Sequence, residues 1–365
     1  MKQKNNHFVP QFHLRQWSFD KKTIMTYNIN KDIYVSKASI KNQASKNYLY
    51  GHDEKFENIM GEIETFASPL YNKIISNKNM ASLNETELDF IYFYVNLCNE
   101  RSNSRATEQS YVITEIMKTW LKMSKEHNVP EVKDIPLKTI EDLSLQYENP
   151  NYISVANIAQ YYGLTYDLAC VLLYNKTDYE FLTSDYPTIV YNLYSNKHNL
   201  FSGWGMCSGG IIYILPINPK FAIMLYDSIA YDCNVNNTTV EIKHIEDINE
   251  INRLTMINSE FCVYGTNNIP HNYLRNLKKK LNVIRYEPIE KFGDEKNEMF
   301  IAVHRKRLFY LANFRFLAIN KDFDKIPPPT SAAGIIRPKS EEINKQLTQY
   351  WQKVENEIKN KKNNQ

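Results

Sequence analysis

The stretch His7-Phe8-Val9-Pro10-Gln11-Phe12-His13-Leu14-Arg15-Gln16-Trp17 stands near the amino end of the chain. Large apolar side chains are interleaved there with imidazole, amide and guanidinium groups. Such a segment is too apolar for a frayed terminus and too polar for an ordinary core strand. We predict that it is packed inward against the rest of the domain. Each of its polar groups must then find a partner, because an unsatisfied buried polar group costs about 1–3 kcal/mol.

Three polar side chains of this stretch are candidates for a site. His7 can move a proton near neutral pH, and the fork of Arg15 can bind phosphate or carboxylate in two places. With the amide of Gln11 they would suit an anionic substrate. The alternative is that His7 and Arg15 only fasten the amino end to the domain, since buried structural networks use the same residue types.

Short runs of β-branched and aromatic residues predict strands in the first and middle parts of the chain. A hairpin is predicted where residues 23–27 and 33–35 flank a polar turn. A run of successive strands separated by turn residues predicts a mainly antiparallel sheet at 180–183, 188–191, 210–216 and 221–226. Residues 299–319 are again strand-like.

Helical periodicity dominates the first part of the chain. Asn84 and Glu87 form a capping-box pattern, which predicts the start of one long helix that continues to about Met123. Further helices are predicted at about 54–76, 137–146, 153–175, 247–261 and 270–281. The fold class that follows is α+β, with a helical first part packed on the middle sheet.

A proline-rich stretch begins at Pro327 and predicts a linker over residues 327–340, after a single domain at 1–326. Beyond it an amphipathic helix is predicted over residues 341–359, before a polar tail that runs to residue 365. Its apolar stripe consists of Ile343, Leu347, Trp351, Val354 and Ile358. Such a stripe needs a cover, either the chain's own domain or a second copy in a homo-oligomer.

Charge and cysteine content restrict the classes of partner. A net charge of +3, from 44 basic and 41 acidic residues, argues against a dedicated duplex binder. Five widely spaced cysteines without a C-x-x-C pair argue for reduced thiols and against structural zinc. No apolar run reaches about 18 residues, so no membrane span is expected and the expected location is the cytoplasm.

A second candidate constellation is Thr183-Ser184-Asp185-Tyr186-Pro187. Asp185 follows a β-prone run, and a carboxylate at the end of a strand often lies over a cleft. The alternative is a turn closed by the Ser or Asp side chain, because Ser, Asp and Pro are ordinary turn residues.

Two arginines on the predicted long helix form the third constellation. Arg101 and Arg105 are four residues apart and would share one helix face, where like charges repel unless an anion lies between them. A phosphate or Asp185 could supply that anion. The alternative is an ordinary surface pair of Arg105 with Glu108.

The opening stretch resembles the signature of the bacterial domain-of-unknown-function family 4238, whose members commonly begin H-x-x-P-Q-x-x-L-R-x-F. Trp17 stands where the family usually has Phe. Further matches follow in the family's order: Arg101 and Arg105 on a helix, Thr183-Ser184-Asp185-x-Pro187 after a strand, Pro216 in a strand, and Asn258 through Tyr264-Gly265. The resemblance covers about residues 5–270 and implies no settled activity; residues 271–326 are an unrecognised elaboration.

Two functions remain open at this point. The first is a hydrolase or nuclease-like enzyme on a phosphate-bearing nucleotide or nucleic acid, with His7 as general acid or base and Asp185 orienting it or holding a metal. Arg15, Arg101 and Arg105 would bind the phosphate, and whether a divalent metal is needed is unknown. Stand-alone bacterial proteins of this kind often act in phage defence. The alternative is a non-catalytic sensor or binding module that uses the same residues as a structural or ligand-reading network.

Geometry distinguishes these two functions. Convergence of His7, Asp185 and an arginine around an open cleft would favour catalysis, whereas side chains sealed from solvent would favour the structural network.

Overall fold

The computed structural model describes the part of the chain that carries the fold and the candidate site. The described residues are 5–47, 49, 54–145, 150–200, 203–281, 284–285, 289–292, 300–303, 308–327, 335–339 and part of 342–352. Within them the chain is an α+β protein with several mainly antiparallel sheets, as predicted.

The helices of the described residues cluster in the first half of the chain. They are α1 (Gln11–Leu14), α2 (Glu54–Asn77), α3 (Glu85–Glu100), α4 (Asn103–Glu126), α5 (Leu137–Glu141), α6 (Pro150–Tyr161), α7 (Leu193–Lys197), α8 (Ile245–Asn258), α9 (His271–Lys279) and α10 (Lys321–Asp324).

The strands lie mainly at the amino end and after residue 168. They are β1 (Asn5–His7), β2 (Thr23–Asn28), β3 (Ile33–Ser39), β4 (Ser45–Asn47), β5 (Ala169–Asn175), β6 (Thr183–Ser184), β7 (Ile189–Tyr191), β8 (Ile212–Pro216), β9 (Phe221–Tyr226), β10 (Tyr231–Cys233), β11 (Thr239–Ile242), β12 (Cys262–Gly265), β13 (Ile284–Arg285), β14 (Ile289–Phe292), β15 (Phe300–Val303), β16 (Leu308–Phe309) and β17 (Leu317–Ile319).

A five-stranded sheet in the order β11-β5-β9-β8-β7 forms the centre of the protein. All of its pairs are antiparallel except β11 with β5. Side chains alternate between its two faces, so Leu172 and Ile223 join one apolar core while Val171 and Met224 join another. Both faces are therefore covered, the first by α2, α3 and α6 and the second by α8 and later segments.

One predicted helix proved to be a strand over its last seven residues. The helical periodicity of residues 153–175 ends with α6 and a short 3₁₀ turn, and β5 follows. The run Val171-Leu172-Leu173 is apolar on both sides, which periodicity alone cannot distinguish from a buried helix. Its place beside β9 in the sheet decides the conformation.

The predicted long helix is interrupted. Its capping box is present, with Asn84 accepting from the backbone N–H of Glu87 and the Glu87 side chain accepting in return. However, α3 ends at Glu100 and Arg101 occupies its C-cap with φ −80° and ψ 2°, before α4 starts. The expectation that Arg101 and Arg105 share one helix face was therefore wrong.

A second sheet in the order β3-β2-β12-β6 connects the amino end to the rest of the protein. One face presents Met25 and Val263 to the apolar cluster under α9. The other presents Ile24 and Tyr264 to the opening segment. The predicted hairpin is confirmed as β2 and β3.

The opening segment lies on that second face. Strand β1 pairs with β4, Pro10 caps α1, and a 3₁₀ turn over Arg15–Trp17 follows. Trp17 is only 1% exposed, and its indole N–H donates to the carbonyl of Phe181 over 2.7 Å. The predicted inward packing of this segment is confirmed.

Segments after the second sheet also pack on the domain. Strand β17 pairs with β10, and Phe314 and Phe323 join the core on the second face of the central sheet. Within the predicted linker, Arg337 is 3% exposed and donates from Nε and Nη2 to the carboxylate of Asp167. This end of the linker is therefore held against the domain, while the division of the chain at 326 and 340 stays a prediction.

The predicted C-terminal helix at 341–359 falls mostly outside the described residues, including four of the five apolar positions of its stripe. Its docking surface and the proposed oligomer remain predictions.

Among the helices of the described residues, none has the length and hydropathy that a membrane crossing requires.

Trp17→Ala should lower the free energy of unfolding by about 3–5 kcal/mol, because it leaves a large cavity between the opening segment and the sheet. Trp17→Phe should cost about 1–3 kcal/mol through the unpaired carbonyl of Phe181. Chemical denaturation measures both. Phe19 lies two residues away but is 70% exposed, so Phe19→Ala is the control and should change stability by less than about 0.5 kcal/mol. Equal effects of Trp17→Ala and Phe19→Ala would contradict the assigned packing.

Candidate functional site

A cleft of about 1430 Å³ lies between the opening segment and α2. One wall is formed by residues of the opening segment and the other by successive turns of α2. Its lining consists of Asn6, His7, Gln11, Phe12, Arg15, Glu57, Asn58, Met60, Gly61, Glu62, Glu64, Thr65, Phe66, Ser68, Pro69 and Arg101. Four of the six predicted site residues, namely His7, Gln11, Arg15 and Arg101, therefore line the same cleft.

His7 stands on the amino-terminal wall with a defined hydrogen bond. Its Nε2 lies 3.1 Å from the carbonyl oxygen of Lys41. Because a carbonyl only accepts, Nε2 carries the proton, and this assigns Nδ1 as an acceptor. Burial lowers the pKa of His7 below its ordinary value. The ring is therefore mainly neutral at pH 7.

Arg101 fastens the two walls together. The side chain is 1% exposed, and Nη2 donates both to the carbonyl of His7 and to the carboxylate of Glu64, each over 2.9 Å. Its position at the end of α3 explains this reach, because the helix break turns the guanidinium toward the opening segment. Arg101 thus acts first as a structural cation.

Arg15 is the exposed cation of the cleft. Its Nη2 donates to Oε1 of Gln11 over 2.8 Å, one turn earlier on the same segment. This contact holds the guanidinium at the cleft and leaves its side chain in contact with solvent. The side chain of Arg105 lies outside the described residues, so its predicted role with phosphate or Glu108 is untested.

Asp185 does not line the cleft. It is 4% exposed, and its carboxylate accepts three backbone N–H bonds of 2.8–2.9 Å from Glu260, Phe261 and Cys262. Burial raises the pKa of Asp185 to about 6, against the lowering effect of those three donors. The carboxylate therefore fixes the start of β12. Ser184 makes a local turn by bonding the backbone of Tyr186.

His13 is the polar residue that the sequence interpretation underrated. It is fully buried, with Nδ1 3.2 Å from the hydroxyl of Tyr71 and Nε2 2.9 Å from Oγ1 of Thr183. Burial lowers the pKa of His13 to about 3, and the charge of Arg101 adds to this effect. The signal that could have revealed it is helical spacing after Pro10, which places His13 on the same face as Trp17.

The α2 wall has a different character. Glu57 and Glu62 carry negative charge there, and Thr65 and Ser68 add hydroxyls. Gly61 lies among them, and a Cβ added at Gly61 would meet no atom within 4 Å. The cleft is therefore polarised, with an arginine on one wall and carboxylates on the other.

The part of the chain that the structure describes contains no cluster of metal-binding side chains. No group of three or more His, Cys, Asp or Glu side chains there could hold an ion.

Fold and site together define an α+β domain built around an inward-packed amino-terminal segment and a polar cleft. The model of the family described as Protein of unknown function (DUF4238) matches residues 5–268, and the chain belongs to that family. The match ends just before α9, close to the boundary that the resemblance predicted. Neither the curated proteins nor the solved structures provide a significant match to this chain.

Asp185→Asn should destabilise the protein by about 2–3 kcal/mol, because an amide cannot accept from three converging backbone N–H groups as a carboxylate does. Equilibrium unfolding measures the effect. Asp322→Asn is the control, since the side chain of Asp322 is 89% exposed. Unchanged stability of Asp185→Asn would show that this carboxylate is not a structural clamp.

His13 should also make stability depend on pH. Its pKa is about 3 in the folded protein and about 6.5 in the unfolded chain, so its contribution is complete above pH 6.5 and is lost as the pH falls. As the pH rises from 4 to 6, the free energy of unfolding of the wild type should increase relative to that of His13→Gln by up to about 1.4 kcal/mol per pH unit. A difference that does not vary with pH would mean that His13 titrates alike in both states.

Proposed function

We propose that the protein is a binding module that holds a phosphate-bearing small molecule, most simply a nucleotide, in the cleft between the opening segment and α2. The observation that supports it is the gathering of His7, Gln11, Arg15 and Arg101 at one cleft while Asp185 is engaged elsewhere. Such a cleft, polar and larger than the usual range of about 300–1,000 Å³, has room for a nucleotide.

The charges of the two walls suggest how a nucleotide would lie. Its phosphate would face Arg15, whose guanidinium suits a bidentate anion. Its hydroxyl or amino donors would face the carboxylates of Glu57 and Glu62, which only accept. A ligand that is anionic at one end and rich in donors at the other fits this arrangement better than a simple dicarboxylate.

Binding is favoured over catalysis because the predicted acid-base pair is not assembled. Asp185 lies outside the cleft lining and is bonded to three backbone amides, so it is not available to orient His7. His13, which is fully buried, is neutral and has hydroxyl partners at both ring nitrogens.

A hydrolase on the same phosphate-bearing ligand is the second candidate. The feature that favours it is the contact of His7 Nε2 with the carbonyl of Lys41, which leaves Nδ1 as an acceptor on a residue of the cleft lining. In that case His7 would take a proton from an attacking water while Arg15 balanced the phosphate charge. Sensing or cutting a nucleotide would suit the proposed role in phage defence.

Gly61 allows a direct test of the cleft. Gly61→Trp should lower nucleotide affinity at least tenfold in isothermal calorimetry, because the indole would occupy open space on the α2 wall. Gly61→Ala is the matched control: it should retain binding and gain about 0.5–1 kcal/mol of stability in the helix interior. The proposal fails if nucleotides do not bind the wild type, or if both variants bind alike.

Turnover separates the two candidates. Labelled nucleotides should be incubated with the protein, with and without Mg²⁺, and the products separated by chromatography. The binding module predicts unchanged ligand in every case. Hydrolysis that His7→Ala abolishes while folded Asp185→Asn retains it would establish the second candidate.

A further inference from the structure

Positive charge is concentrated at the amino end of the chain. Residues 1–50 contain nine Lys and Arg against two Asp and Glu, although the whole chain carries only +3. The remaining residues are therefore net acidic. The small net charge of the whole chain is therefore compatible with a strongly basic region. Because charges are screened beyond a Debye length of about 8–10 Å, the local excess of positive charge decides which ligands are attracted to this region.

The two carboxylates of this region have local partners. Asp20 accepts from the backbone N–H groups of Lys22 and Thr23 and from the hydroxyl of Ser18. Asp32 receives the guanidinium of Arg275, with contacts of 2.7–3.2 Å. Asp32 is thus neutralised by α9, and Asp20 is tied into its own turn.

Five exposed cations form what we call the basic rim: Arg15, Lys21, Lys22, Lys41 and Lys46. Hydrogen bonds to backbone atoms connect the segments that carry the rim to one another and to the amino-terminal wall of the cleft. The ammonium of Lys21 donates to the carbonyl of Arg15, and Lys22 bonds through its carbonyl to Ile40, next to Lys41. Lys41 accepts from His7, and Lys46 pairs with Asn6 in the β1–β4 ladder.

An exposed aromatic ring lies within the same region. Phe19 is 70% exposed and stands in the chain between Arg15 and Lys21. Aromatic rings beside basic side chains are the stacking platforms of proteins that bind single-stranded nucleic acids.

We infer that a single-stranded nucleic acid is the ligand of this surface, with its phosphates along the basic rim, a base stacked on Phe19 and one nucleotide in the cleft. This inference rests on the proposed function, which it extends from one nucleotide to a strand. A base in a duplex could not enter the cleft, because its hydrogen-bonding edge is occupied by the complementary base and its two faces are stacked on neighbouring bases. A membrane surface could contact the basic rim, but its flat surface could not enter the concave, polar cleft beside the rim.

Fluorescence anisotropy with labelled 12-nucleotide RNA and DNA single strands tests the inference. We expect the strands to bind at least tenfold more tightly than a mononucleotide and than the corresponding duplex. The logarithm of the binding constant should fall with the logarithm of salt concentration, with a slope of about −0.7 for each phosphate contact. Vesicles containing phosphatidylserine should not bind.

Charge variants provide matched controls. Lys22→Glu with Lys41→Glu should lower strand affinity at least tenfold and flatten the salt slope. Lys279→Glu with Lys280→Glu makes the same change of net charge at the end of α9, away from the rim, and should have a much smaller effect. Phe19→Ala should weaken the strand about fivefold or more through lost stacking, with the mononucleotide affinity unchanged.

Three results would overturn the inference: equal binding of strand and duplex, equal effects of the rim and α9 variants, or vesicle binding that depends on the rim. A mononucleotide that binds and is excluded by Gly61→Trp, while longer strands bind no better, would refute the strand and leave the proposed function standing. Failure of the mononucleotide itself refutes the proposed function.

Discussion

The buried imidazole of His13 is the contact on which the arrangement of the protein depends. One ring nitrogen meets Tyr71 of the helical layer and the other meets Thr183 at the edge of the second sheet. Because both bonds are made in the absence of solvent, neither partner can move without leaving a polar group unsatisfied. The opening segment thus lies between the helices and the sheet and contacts α2 at Tyr71. The cleft opens beside this contact, between the same segment and the earlier turns of α2.

Burial acts in opposite directions on the pKa values of His13 and Asp185. It lowers the pKa of His13 and raises that of Asp185, so each is moved toward its neutral form. Arg101 remains a buried cation, and Glu64 compensates its charge. The desolvation of Arg101 offsets much of its attraction to Glu64, so this ion pair adds little to stability. Its main effect is to fix the position of the guanidinium.

Much of the fold followed from local pattern. The hairpin of β2 and β3 and the capping box at Asn84 are set by neighbours in sequence, and the burial of Trp17 was predictable from the apolar residues around it. The strand β5 and the break at Arg101 were not predictable in this way, because tertiary contacts decide them. The candidate site was also only partly predictable from the sequence. Chemistry identified His7 and Arg15, whereas the engagement of Asp185 by three amides arises from a distant strand and leaves no trace in its own surroundings.

The ion pair of Arg337 with Asp167 has a consequence for how the chain is divided. Family similarity ends at residue 268, yet the segment around Phe314 and Phe323 closes the second face of the central sheet and Arg337 secures its far end. The apolar core of the described residues therefore extends beyond the stretch that the family model matches. A fragment that ended at residue 268 would lack the apolar side chains that these later segments place on that face, so the matched stretch alone would expose part of its core to water.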